Sequence, residues 1–145
     1  MWKWLDKKAG ETVGQGDHYV QPIVAAALFG LAAVLKDTHG ITMDFGDMSA
    51  DNGTDPWEKG SEDHKGHGHG DRSGLDIDFR YINYKGVSFR GLMTDKQFSV
   101  AKNQLVFDTA AKFGFTENYQ GNSARLKGIK TLGGHNNHGH LGYGR

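Results

Sequence analysis

With 145 residues, 17 Lys+Arg against 17 Asp+Glu and a formal net charge of zero, the chain fits one domain, 1–145, and has no electrostatic reason to bind nucleic acid. Cysteine is absent, which excludes disulfides and thiolate-held metal, so any transition metal has to be held by His and carboxylate. A mean hydropathy of −0.61 with 22 glycines predicts a soluble α+β domain rich in tight turns, not a membrane span or a disordered tail.

Residues 1–19 read as an N-terminal extension. Its start, Met1-Trp2-Lys3-Trp4-Leu5, has no apolar core and no small-residue cleavage site, so no signal peptide is expected. Trp2 and Trp4 are expected to pack on the domain. A helix is predicted over 20–37, with Pro22 in its first turn and Gly40 as its stop. Ile23, Ala27, Gly30, Leu31, Val34 and Leu35 form its apolar stripe. The apolar run 23–35 is shorter than the roughly 20 residues that cross a bilayer. Its alanines would let another element approach closely.

Residues 41–45 alternate and read as a strand. After it comes a long Gly/His-rich loop, 50–73, carrying His64, His67 and His69. By itself such a loop is equally well a solvated, weak metal binder. The 75–81 stretch alternates apolar and charged residues. Leu75, Ile77, Phe79 and Tyr81 are expected to face the core, and Asp76, Asp78 and Arg80 the opposite side. Two aspartates inside a strand run against β propensity, which favours a use for them. A turn at 84–87 and a short strand at 87–92 follow. A second helix is predicted over 95–113, capped by Thr94 or Asp95 and ended by Gly114. Its buried stripe would be Phe98, Ala101, Leu105, Val106, Thr109, Ala110 and Phe113. A short strand and loop then lead through 129–132 to His135-Asn136-Asn137-His138-Gly139-His140. If that end is a strand, His138 and His140 share a face and can share a metal, or divide metal binding and proton transfer between them.

Three blocks carry a family resemblance: Gly46-Asp47-Met48-Ser49, then Gly74-Leu75-Asp76-Ile77-Asp78-Phe79, and last His135-x-x-His138-x-His140. In that order they resemble the LAS-type zinc metallopeptidases, and within them the penicillin-insensitive murein endopeptidases. The resemblance spans 46–140. One position departs from it: Asp71 stands three residues before Gly74, where the family has a ligand His, and His69 lies two residues further upstream. A loop tolerates such an insertion better than a strand does. His67, and Asp76 in place of Asp78, remain alternatives.

The resemblance implies an α+β fold: a small antiparallel sheet carrying the zinc site, flanked by two main helices and long loops. It implies one zinc ion per chain, held by His69, Asp78 and His140, with a coordination position left open as in catalytic sites. His138 would move protons, His135 would orient it or return the proton, and Asp76 or Asp47 would accept from a ligand imidazole. The implied activity is cleavage of an amide bond in peptidoglycan stems or crosslinks, with Arg80 or Lys85 available for a substrate carboxylate. Reaching the wall without a leader implies delivery by a phage or a specialised secretion route, and an antibacterial toxin of this kind needs an inhibitor protein in its producer. The alternatives are a non-catalytic zinc-binding module of the same fold, and a terminal His cluster that is only a flexible tail.

Overall fold

The computed structural model describes residues 2–3, 19–49 and 72–144. Two short strands, β1 (Trp2–Lys3) and β2 (Tyr19–Val20), pair antiparallel ahead of helix α1 (Pro22–His39). Then come β3 (Asp76–Arg80), α2 (Val100–Lys112), β4 (Phe115–Gln120), β5 (Lys130–Thr131) and β6 (His138–Tyr143). The larger sheet has the order β3-β6-β4-β5, so the C-terminal strand lies between two earlier ones. His138 and His140 therefore stand on a central strand of the sheet, not in a flexible tail. The architecture is α+β, with two helices and a small four-stranded sheet.

The sheet is mixed and not purely antiparallel, because β5 runs parallel to β4. The Gln120 side chain folds the connection back. Its amide donates to the carbonyls of Leu126 and Ile129 at 2.7 and 2.8 Å, and its oxygen accepts from Leu126 N–H at 2.9 Å. The chain thus completes a loop before it re-enters the sheet, which reverses the direction that a hairpin would give.

Helix α1 begins on Pro22 and ends on Gly40, whose φ of +64° supplies the left-handed stop. Its buried side is rotated from the predicted stripe. Val24, Ala25 and Leu28 join Leu31 and Leu35 inside, while Ile23 and Val34 face outward. The helix is apolar all round, so periodicity alone does not select the inner face. Among the described residues it is the one helix long and apolar enough to cross a membrane, yet its inner face packs into the core. A Cβ on Gly30 would lie 2.5 Å from the Phe113 ring, so the helices meet where a side chain is missing.

Helix α2 starts later than predicted. Asp95 is spent on a turn, its carboxylate accepting from Leu92 N–H at 2.8 Å, and Ser99 caps the helix by accepting from Lys102 N–H at 3.3 Å. Val106, Phe107 and Ala110 enter the core, whereas Ala101 is exposed. Asn103 is fully buried and grips the backbone of Ile82 from both its amide and its oxygen. The predicted strands 41–45 and 87–92 reduce to isolated bridges, because each segment changes partner along its length.

Candidate metal centre

Antiparallel pairing of β3 with β6 sets Asp78 opposite His140 and Arg80 opposite His138. Side chains alternate along a strand, so Asp76, Asp78, Arg80, His138 and His140 share one face. The other face is core, where the Phe79 ring meets Phe107 and Tyr81 edge-on at 5.3 and 6.0 Å. Gly139 explains the spacing of the two imidazoles. A Cβ there would lie 2.5 Å from the Phe79 ring and 2.9 Å from Phe107, so the backbone passes bare over the aromatic rings while both histidines project away from them.

His140 is buried between two carboxylates. Its Nδ1 lies 3.0 Å from Asp78 Oδ1 and its Nε2 lies 3.3 Å from Asp76 Oδ1. Burial pushes the imidazole pKa down, but the hydrogen bonds and charges of Asp76 and Asp78 outweigh it and raise it to about 9. Asp76 shows the converse balance. Burial disfavours its charge, yet His140 and Arg72 hold its carboxyl below the usual range. Arg72 makes a two-pronged contact, with Nε donating to Asp76 Oδ2 at 3.1 Å and Nη2 to Oδ1, while Nη1 donates to the Tyr143 carbonyl at 3.1 Å. Asp76 thus accepts from the His140 imidazole on the side away from Asp78. Asp47 also pairs with β3 through its backbone, its carbonyl accepting from Asp78 N–H at 3.1 Å, while Gly46 N–H donates to the Asp78 carbonyl at 2.8 Å. The Gly-Asp-Met-Ser block therefore begins as a brace along the outer edge of β3.

His138 Nε2 lies 3.3 Å from Asp78 Oδ2, and its Nδ1 is 2.6 Å from Asn137 Oδ1. The His135 ring sits 4.5 Å from that of His138 and 5.8 Å from that of His140, centroid to centroid. His135 Nδ1 donates to the Gly133 carbonyl at 2.9 Å, which leaves Nε2 as the lone-pair nitrogen of the neutral ring. One ligand atom each from Asp78, His135 and His140 lies within 4.8 Å of the others, a group able to hold a metal ion. Two imidazoles and a carboxylate form the borderline donor set that suits a divalent transition metal.

The structure brings Asp78, His140, His138 and His135 close together, and His138 and His140 share a face as their alternation in a strand predicts. It also places His135 close enough to act as a third ligand and not only as a proton carrier. His69 lies outside the described residues, as do His64, His67 and Asp71. Asp78, Arg80, His135 and His138 line a cleft of about 760 Å3, walled by 44–47 on one side and by 132–134 on the other. Lys85 stands instead in a turn, where it and Tyr84 are exposed. Arg72, Tyr81 and Tyr119 were not legible as site residues. Arg72 sits in a loop, where its pairing to Asp76 has no periodic signature. Tyr119 joins because the register of β4 sets it beside His140, ring centroids 5.6 Å apart.

Comparison with protein-family models, with curated proteins and with solved structures finds no match to this chain.

Proposed function

We propose that the chain is a zinc-dependent peptidase of the LAS type, cleaving an amide bond in the stem or crosslink peptides of peptidoglycan. The observation that supports this most is the register of β3 on β6, which sets Asp78 beside the buried His140 and next to His138, with His135 close by and Asp78, His138 and His135 lining one cleft. The substrate class rests on the ordered motif blocks at 46–49, 74–79 and 135–140. Asp78 and His140 would hold the zinc with His69 or His135, and Asp76 would orient His140 from behind. When bound, zinc would supply Lewis-acid polarisation of the carbonyl and lower the pKa of a bound water to about 7.

The remaining work falls to the chain's own side chains. His138 is partly exposed to the cleft and has its ring held between Asp78 and Asn137, so it can take a proton at an imidazole nitrogen. With His69 as the third ligand, His135, in ring contact with His138, can pass a proton on to a leaving amine; as a ligand itself it leaves that step to His138. Arg80 on the cleft wall supplies a fixed positive charge for a substrate carboxylate.

The test is digestion of purified muropeptides by zinc-loaded protein, with products read by mass spectrometry. Wild-type protein should release a defined amide fragment. His138→Ala should lose cleavage by about 100-fold or more while keeping stoichiometric zinc. Zinc retained by a wild-type protein that cleaves no muropeptide would instead favour a non-catalytic zinc-binding module.

A further inference from the structure

His135 is carried on a loop, and a ligand on a loop needs something to fix it. The described residues contain such a fixture beneath the site. The Tyr81 hydroxyl, on a fully buried ring at the end of β3, donates to the His135 carbonyl at 2.8 Å. The same oxygen accepts from Gly121 N–H at 3.3 Å, just past β4. The next residue is held as well. The Asn136 carbonyl accepts from Met93 N–H at 2.7 Å, and its side-chain oxygen accepts from Ser123 N–H at 3.2 Å. Gly121 leaves room for the loop, since a Cβ there would lie 2.6 Å from Asn136 N.

We propose that Tyr81 is a positioning residue of the metal centre, its hydroxyl fixing the backbone of His135 so that the imidazole stands over Asp78 and His140. The proposal rests on the reading of His135 as a residue that faces the metal. Two features suit Tyr81 to the role. Its ring is fully buried and packed edge-on against Phe98 at 5.1 Å and Phe79 at 6.0 Å. Its hydroxyl is fully used, donating to the His135 carbonyl and accepting from Gly121 N–H, so the oxygen is tied to both sides of the loop. Nothing in the alternation of 75–81 distinguishes Tyr81 from its core neighbours, because its function lies in one oxygen at the far end of an apolar ring.

Zinc affinity, measured by competition with a chromophoric chelator, separates positioning from simple stability. Tyr81→Phe keeps the ring and removes only the hydroxyl. It should weaken zinc binding roughly tenfold or more, the usual scale for groups that orient a ligand. Leu28→Ala, a core substitution on α1 away from the site, should lower the melting temperature without moving zinc affinity. Tyr81→Phe at wild-type affinity, with His135→Ala weakened, would overturn the role of Tyr81 alone. Wild-type affinity in His135→Ala would overturn the ligand reading and this proposal together. A further measurement needs no folded variant at position 81. With ring-labelled tyrosine, the Tyr81 resonance should shift when zinc is added to the wild-type protein and stay still in His135→Ala. Absence of that shift in the wild-type protein would also overturn the proposal.

Discussion

In the proposed metal centre a proton and a metal would compete for one nitrogen of His140. The imidazole is stabilised as a cation between Asp76 and Asp78, with a pKa of about 9 against the ordinary 6.5. A metal has to displace that proton, so zinc affinity should climb with pH, up to about tenfold per unit, and level off above about pH 9. A flat profile between pH 6 and 8 by calorimetry would contradict the arrangement. In the metal-free protein the sign is opposite. A raised imidazole pKa contributes stability that is complete below about pH 6.5 and lost as pH rises through about 9, while the lowered carboxyl of Asp76 contributes above its ordinary range and loses it in acid. Asp76→Asn should lower the His140 pKa, seen by NMR titration, and weaken zinc by about 10- to 100-fold. An unchanged titration would mean that Asp78 alone sets the cation.

At the scale of elements, β6 serves two layers at once. Its even-numbered histidines belong to the site and Gly139 belongs to the core, so the strand tolerates substitution on neither side. Gly139→Ala forces a methyl against Phe79 and Phe107, and overpacking of this kind costs about 1–3 kcal/mol. Denaturant unfolding should show that loss, accompanied by weaker zinc binding, because a shifted strand moves both imidazoles. Helix α2 makes the contrasting case. Ser99→Ala removes the cap from Lys102 N–H and should cost about 1 kcal/mol with zinc affinity untouched, since neither residue lies on the site's face. Coupled losses in the first variant and an isolated loss in the second would separate the strand that builds the site from the helix that supports it.

For the molecule as a whole, a metal that binds only the folded form has to raise its stability. Free zinc at about 100 times its dissociation constant adds about 2.7 kcal/mol, readable as a rise in melting temperature that a chelator reverses. The rise should vanish in Asp78→Ala. A zinc-induced rise that survives that substitution would place binding elsewhere on the chain.

Residue order alone determined a good deal. The alternation at 75–81 marked β3, Pro22 and Gly40 bracketed α1, and the spacing of His135, His138 and His140 beside a strand with two aspartates pointed to a metal site. These features are local: period, cap and turn chemistry act within a few residues, and a one-dimensional string records them. The inner face of α1 was not legible, because its whole surface is apolar. Nor was the start of α2, because Asp95 and Ser99 both have capping chemistry and only the turn at 92–95 decides between them. Tertiary structure alone decided that Asp76 lies behind His140 while Asp78 lies beside it, that Arg72 reaches from Asp76 to the Tyr143 carbonyl, and that His135 and Tyr81 meet. Those relations depend on the register of strands some sixty residues apart. Register is set by the joint packing of both sheet faces, which no single segment of the chain contains.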